Sequence, residues 1–366
     1  MIRVVVLSFW HVHAKDYTQE ALNHPDVELV GIWDHDVDRG QAAASQYSVP
    51  FIANINQVWS DASINGVIVT TPTAMHHQIM LAASQAGKHI FTEKVIAATL
   101  HEANSIVAAT KQANITFMVN MFRRYHAATI AIKEIIDSGA LGELTLVRVR
   151  DSHNGALRTP AAPNGWLVER FFEPSEAIGG VLTDLCHPVY LTRYLLGRPA
   201  SVSASYGWHT GRALEDNAAI SLRYPNGAIG IAETSFTTRY APFTIEAHGT
   251  EGSLMYNQSS GNELNEERLN QEAGIAVDPA ERAFGLHRKI RVRSTRLAGA
   301  TTRWMITEVP MGIDPPSAFS QWVGHVQHGT HDPDNTALAL DLSAIVEAAN
   351  ISARDDRGVR LDSLSQ

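Results

Sequence analysis

Gly66-Val-Ile-Val-Thr-Thr-Pro-Thr73, Ala74-Met-His-His-Gln-Ile-Met-Leu-Ala-Ala-Ser-Gln-Ala86 and Gly87-Lys-His-Ile-Phe-Thr-Glu-Lys-Val-Ile-Ala97 form one continuous stretch, and its reading decides the fold. Val67 to Val69 is a short apolar β-branched run of the kind buried in a parallel sheet. Pro72 stops it and pushes Thr71 towards an extended backbone. Thr73 is a candidate helix cap, and Met75, Ile79, Leu81, Ala82 and Ala86 offer an apolar face. Gly87 ends that helix, and His89 to Phe91 reads as a second strand delivering Glu93-Lys94 at its carboxyl end. Two strands with a crossover helix make a βαβ unit. Ligands of open α/β sheets bind at the carboxyl ends of the strands. Lys94 is therefore expected where chemistry takes place.

The totals bound the rest. A chain of 366 residues suggests two domains. Apolar content of 45% with 18% charged residues is that of a globular protein. The 29 basic and 38 acidic residues give a net charge of −9, which disfavours nucleic acid and anionic membrane surfaces as partners. The single cysteine, Cys186, permits no intrachain disulfide and fits a reducing, cytoplasmic compartment. No apolar run reaches the ~18 residues expected of a membrane span. Met1 to Trp10 lacks a signal-peptide cleavage pattern and reads as the first strand.

Ile2 to Leu7 is a near-continuous apolar run, followed by a turn, Ser8-Phe9-Trp10-His11-Val12-His13, and a helix over Ala14 to Asn23. Val27 to Trp33 is the next strand, ending in Asp34, with a helix over Val37 to Gln46 behind it. A β-α-β opening with an acid at the end of its second strand is the layout of a Rossmann dinucleotide-binding half-domain. The carboxylate of Asp34 could accept the adenosine ribose hydroxyls and repel a 2′-phosphate, which argues for NAD over NADP. A solvated acid at a strand end is the plainer alternative. The turn lacks all the glycines that let a backbone approach pyrophosphate. His11 and His13 alternate as metal ligands could, but no third ligand is in sight, and no metal is expected.

Gln57 to Asp61 reads as a link, Thr99 to Asn114 as a helix burying Ala103, Ile106, Val107 and Thr110, and Thr116 to Asn120 as a further strand. A helix from His126 to Asp137 follows Arg123-Arg124-Tyr125. The domain boundary is placed at residue 121, giving a dinucleotide-binding domain over 1–121 and a substrate-binding and oligomerisation domain over 122–366. Beyond it, alternating strands appear at Leu144 to Arg150, Ala200 to Trp208, Ala218 to Tyr224, Ala228 to Ser235 and Phe243 to His248. Pro225-Asn226-Gly227 and Thr250-Glu251-Gly252 are hairpin turns between them. The fold class is α/β, with a doubly wound parallel sheet first and an α+β domain on a large open mixed or antiparallel sheet second. Asp151 to Pro174 reads as a binding loop carrying His153, Asn154, Arg158, Asn164 and Trp166. Gly179-Gly180 opens a predicted helix from Val181 to Leu196, on which Asp184 and His187 share a face. Residues 256 to 330 give no clear pattern, with Asn262 to Glu272 polar and expected to be exposed. Asn335 to Arg354 is a predicted amphipathic helix, and Val359 to Leu361 a last short strand.

These residues resemble the glucose-fructose oxidoreductase/inositol dehydrogenase/rhizopine-catabolism (Gfo/Idh/MocA) family of NAD(P)-dependent oxidoreductases. The matching pieces, in order, are Val69-Thr70-Thr71-Pro72-Thr73 with His76, Ala86-Gly87-Lys88-His89, Glu93-Lys94, Asn120 with Arg124-Tyr125, Gly139 with Leu141-Gly142, Gly179-Gly180 with Asp184 and His187, Tyr224-Pro225-Asn226-Gly227 and Gly249-Thr250-Glu251-Gly252. Each is weak alone, and the ordered set covers nearly the whole chain. The resemblance implies hydride transfer between a nicotinamide and a hydroxyl-bearing carbon of a sugar, cyclitol or glycoside. It implies that Lys94 holds the hydroxyl oxygen, His187 acts as general base and Asp184 orients the substrate or tunes both. It implies cofactor contacts from Ser8, Phe9, Trp10, His11, Asp34, Thr71, Pro72, His76, Glu93 and Asn120, and substrate contacts from Arg124, Tyr125, His153 and Trp166. A homodimer or homotetramer through the open sheet is implied as well. Taken singly, Lys94, Asp184 and His187 read equally as a lysine after a strand, a helix N-terminal acid and a structural histidine. Three departures stand out: the glycine-free turn, Val95 where the family has a proline that is often preceded by a cis bond, and three residues rather than four from Asp184 to His187. Two further readings stay open, a ligand-sensing module without redox chemistry and an NAD-assisted glycosidase or lyase.

Overall fold

The computed structural model describes residues 1–160, 162–239, 241, 243–258, 289–308 and 315–364. Its first part runs β1 (Ile2–Leu7), α1 (Ala14–Asn23), β2 (Val27–Trp33), α2 (Val37–Tyr47), α3 (Asn56–Ser60), β3 (Gly66–Val69), α4 (His76–Gln85), β4 (His89–Thr92), α5 (Leu100–Gln112) and β5 (Phe117–Val119). The strands pair in parallel in the order β2-β1-β3-β4-β5. Helices cover both faces, which is why the strands read as unbroken apolar runs. Val4 and Val6 face one core with Tyr17 and Ala44, while Val5 and Leu7 face the other with Met80 and Ile106.

Several local expectations shift. Thr73 does not cap α4: Thr73–Met75 is a 3-10 turn, and α4 starts at His76. The tighter turn rotates the helix that follows it. The buried face is His76, Ile79, Met80, Ala83 and Ser84, which keeps Ile79 of the predicted set but not Leu81, Ala82 or Ala86. The link over Gln57 to Asp61 is mostly α3, which buries Val58. Helix α5 is capped by the Thr99 side chain and buries the four residues expected of it.

The second part runs α6 (Ala127–Asp137), β6 (Leu144–Ser152), α7 (Val181–Asp184), α8 (His187–Leu196), β7 (Ser201–Gly207), β8 (Asn217–Arg223), β9 (Ile229–Ser235), β10 (Phe243–Gly249), β11 (Gly252–Gln258), β12 (Lys289–Ser294), β13 (Met305–Glu308), α9 (Ala318–His328), α10 (Pro333–Asp355) and β14 (Val359–Arg360). Nine strands pair in the order β13-β12-β11-β10-β6-β9-β8-β7-β14, with β6 and β9 parallel and the other pairs antiparallel. Helices α8 and α10 pack on this sheet. Both predicted hairpin turns are present, joining β8 to β9 and β10 to β11.

The predicted helix from Val181 to Leu196 is broken at Leu185 and Cys186. The cause is Pro188. It has no N–H to return to the carbonyl of Asp184, and its ring crowds that carbonyl in a continuing helix. Asp184 and His187 therefore sit on separate helices, not on one face. Upstream, the backbone of Gly180 lies so close to Glu215 that a Cβ would fall 2.0 Å from the Glu215 carbonyl oxygen.

Helix α9 went unread in the sequence. It packs Phe319 and Trp322 into the core of the first sheet, and Trp322 lies where a Cβ on Gly66 would be 2.9 Å away. Helix α10 is the one described helix long and apolar enough to cross a membrane by length and composition, and 61% of its most apolar window is buried in the protein. Its Asn335 side chain exchanges two 2.9 Å hydrogen bonds with the backbone of Val119, tying α10 to β5. The predicted polar stretch Asn262 to Glu272 lies outside the described residues.

Candidate active site

The turn after β1 folds without glycine. Ser8 takes a positive φ of 79° and its hydroxyl accepts from the Trp10 N–H at 3.1 Å. The N–H of Phe9 donates to Asp34 at 2.7 Å, that of His11 to the Thr70 carbonyl at 3.1 Å, and that of His13 to His11 Nδ1 at 3.2 Å. These amides, which a glycine-rich turn would aim at a phosphate, are spent on acceptors in the turn itself and at the ends of β2 and β3. Trp10 is buried, stacked on Phe171 at 5.0 Å, with its Nε1–H on Glu176 at 2.5 Å. Arg170 lies over the same turn, donating to the carbonyls of Trp10 at 2.5 Å and Phe9 at 3.3 Å. Phe171, Glu176 and Arg170 all come from the second domain, and the sequence singled out none of them.

Asp34 stands at the end of β2 as expected, but its acceptors are taken. Arg39 donates to both carboxylate oxygens, at 2.9 and 2.7 Å, and the Asp36 N–H adds a bond at 3.0 Å. Burial pushes this carboxyl up, yet Arg39 and the two amides outweigh it and hold it below the usual range. The guanidinium also neutralises the charge on which repulsion of a 2′-phosphate was argued.

Lys94 is the centre of the site. Its Nζ donates to the carbonyl oxygen of Asp184 at 2.6 Å and lies 3.4 Å from the Asp184 carboxylate and 3.5 Å from that of Glu93. Burial pushes the ammonium down, and the two carboxylates more than reverse it, so Lys94 stays charged. Burial likewise raises Asp184 and Glu93, and the surrounding cations hold both far below the usual carboxylate range. The Lys94–Val95 peptide bond is cis, although valine stands where the family has proline.

A second histidine reading emerges here. His11 Nε2 lies 3.0 Å from Asp184, while its Nδ1 lies 3.8 Å from Glu93. Burial lowers its pKa, keeping the ring neutral. His13 Nδ1 is 2.8 Å from Glu93, which also accepts from Tyr17, whose hydroxyl accepts from Asn120. His187 takes a different place. It is buried with Nδ1 3.2 Å from the Tyr190 hydroxyl and its ring against Phe122 at 4.7 Å. Burial, Lys94 and Arg123 hold its pKa well below the ordinary value. A small space of about 10 Å³ beside Lys94 is lined by Trp10, His11, Thr73, Phe171, Thr183 and Asp184, and His187 is not among its walls.

His11, His13 and Glu93 bring potential metal donors within 4.8 Å of one another. Glu93 is the third ligand absent from the local sequence. The donors are engaged without an ion, however: His11 Nδ1 accepts a backbone N–H and the Glu93 charge is met by Lys94.

The remaining predicted residues divide. Thr71 lies at the end of β3 with its buried hydroxyl unpartnered among the described residues, next to Pro72. His76 bridges the carbonyls of Val95 and Thr71 at 3.0 and 3.2 Å, and burial lowers its pKa to about 4. His153 is wedged between Phe236 and Trp166, its Nδ1 accepting from Gly155 at 3.0 Å, and burial lowers its pKa to about 4. The Trp166 indole donates to Asn154 at 3.0 Å. Arg124 and Tyr125 turn to the start of α10 instead, reaching Asp332 at 3.4 Å and Asn335 at 3.1 Å.

Sequence comparison agrees with this architecture. The family model described as oxidoreductase family, NAD-binding Rossmann fold, matches residues 3–121, and the GFO/IDH/MocA C-terminal domain matches residues 129–255. A 1,5-anhydro-D-fructose reductase of Ensifer adhaerens is 31% identical over 247 residues, covering 66% of this chain and 72% of the relative. A levoglucosan dehydrogenase of Pseudarthrobacter phenanthrenivorans is 30% identical over 248 residues, covering 61% of each. Among solved structures, a levoglucosan dehydrogenase in complex with NADH and L-sorbose superposes with a TM-score of 0.77 at 21% identity over 99% of both chains, a likeness of fold.

Proposed function

The chain belongs to the GFO/IDH/MocA oxidoreductase family, whose first domain is an NAD-binding Rossmann fold, and on that premise we propose that it is an NAD-dependent dehydrogenase or reductase of a hydroxyl-bearing carbon in a neutral sugar, cyclitol or related polyol. The observation that carries the reading is the contact of Lys94 with Asp184 across the domain junction, beside a small space. The names of the two relatives, a 1,5-anhydro-D-fructose reductase and a levoglucosan dehydrogenase, support a sugar derivative as the substrate class.

The residues fit a dinucleotide. Two guanidinium groups, Arg39 and Arg170, flank Ser8 and Phe9, where the turn amides are spent. The unpaired hydroxyl of Thr71 lies at the carboxyl end of β3. When bound, the nicotinamide supplies the hydride acceptor or donor. Lys94 holds the substrate oxygen and offsets the charge that grows on it as its proton leaves. Asp184 keeps Lys94 charged and aimed. His11 is the proton acceptor, at Nδ1, which releases the His13 N–H as it takes the proton while Nε2–H stays on Asp184: Lys94 already carries its proton and Asp184 is a weak base. Glu93 stabilises the imidazolium that results. His187 is a positioning residue behind the site, holding Tyr190 and Phe122 at the start of α8. We further infer a cytoplasmic homodimer or homotetramer. The exposed Ile229, Met255 and Ile306 on the nine-stranded sheet support a second copy covering that face.

The test is NADH formation from a panel of polyols, with NAD and NADP binding followed by quenching of tryptophan fluorescence. Binding of neither nucleotide sinks the reading.

A further inference from the structure

Thr183 is 4% exposed, and its hydroxyl has no hydrogen-bond partner among the described residues. Buried hydroxyls are ordinarily paired, and one left over calls for a reason. On a helix the usual partner is a carbonyl three or four residues back. Thr18, Ser84, Thr110 and Thr192 all bond in that way in this protein. Thr183 does not; it sits in the first turn of α7, which begins at Val181 after Gly180 with φ −87° and ψ −122°. The carbonyl three residues back, that of Gly180, accepts the Asp184 N–H at 3.1 Å instead.

Thr183 is among the residues lining the small space of about 10 Å³ that Lys94, His11 and Asp184 share, room for one water-sized group. A Cβ on Gly179 would fall 2.2 Å from Thr183 Oγ1, so the missing side chain at 179 is what gives the hydroxyl its room. A hydroxyl both donates and accepts, which suits another hydroxyl. The charges around it, two carboxylates against one ammonium, disfavour an anionic ligand.

Resting on the reading above, we propose that the Thr183 hydroxyl binds a second, non-reacting hydroxyl of a neutral polyol and so sets substrate preference at the site where Lys94 holds the reacting oxygen. The contact exists equally in ground state and transition state, so it acts on KM.

The experiment compares wild type with Thr183→Val, which keeps the shape and deletes the hydroxyl, and with Thr183→Ser, which restores it. Thr183→Ala is the second truncation should valine misfold. The probe is the polyol best oxidised by wild type in a panel that includes levoglucosan and myo-inositol, with thermal unfolding measured with and without it. Thr183→Val is expected to raise KM about tenfold with kcat changed less than about twofold. It should leave NAD affinity unchanged, shrink the polyol-induced rise in Tm, and keep or raise the Tm of the free protein. Thr183→Ser returns KM to within about threefold of wild type. Wild-type turnover with unchanged KM and unchanged Tm rise in Thr183→Val overturns this inference alone. A wild type that neither oxidises nor is stabilised by any polyol overturns the proposed function and this inference together.

Discussion

Lys94 Nζ lies 2.6 Å from the carbonyl oxygen of Asp184, a residue 90 positions later in the other domain. A carbonyl inside a helix would be spent on the N–H four residues on. Here that residue is Pro188, which has none, and the helix breaks after Asp184. The proline thus leaves open the acceptor that aims the lysine, while the Asp184 side chain turns to His11 at 3.0 Å. One residue links two domains and two candidate site groups.

Replacing Lys94 with alanine tests the centre of this arrangement. Lys94→Ala is expected to lower kcat by about a thousandfold, with NAD affinity nearly intact in fluorescence titrations. It leaves two buried carboxylates with fewer partners, so chemical denaturation should show a loss of a few kcal/mol, about 3–5 at most. Normal turnover in this variant would show that Lys94 does not act on substrate.

Pro188→Ala restores an N–H opposite the Asp184 carbonyl. The new donor competes with Lys94 Nζ and loosens its aim. We expect kcat/KM to fall roughly tenfold with little change in Tm, as expected when a positioned group is displaced. An unchanged kcat/KM would mean that the open carbonyl has no part in the reaction.

Arg39→Ala bears on nucleotide choice. With the guanidinium gone, the Asp34 carboxylate is free to meet ribose hydroxyls and to repel a 2′-phosphate. The ratio of NADP to NAD dissociation constants should rise about tenfold, equivalent to ~1.4 kcal/mol. A ratio that stays level in paired titrations would count against this placement of Asp34.

His153 makes stability fall in mild acid. Its folded pKa of about 4 lies below the unfolded value, so the unfolded chain takes up the proton first as pH drops. The neutral ring's contribution is present above about pH 6.5 and lost as pH falls towards 4, which amounts to about 2 kcal/mol between pH 7 and pH 5. His76 carries the same sign and a pKa of about 4. His153→Phe keeps a ring between Phe236 and Trp166 and removes the titration. Urea unfolding should then vary less between those two pH values, and an equal variation would refute the assignment.

The strands and most helices were legible in the sequence because their cause is local. Apolar runs such as Ile2 to Leu7 and Val67 to Val69 mark strands covered on both faces, and glycine, proline and threonine mark where elements stop. The ordered motifs around Glu93-Lys94 and Asp184 carry the family in the sequence itself. Pro188 was visible too, and read for its missing N–H it would have forecast the broken helix. What the tertiary structure decided is which groups meet. His11, Arg39 and Arg170 gain their places only when turn, sheet and second domain close on one another, and Arg124 and Tyr125 turn to α10 for the same reason. Spacing along a chain sets what a segment becomes. The partners of a buried charge are set by packing, because desolvation makes each such charge seek whichever opposite group the fold brings within reach.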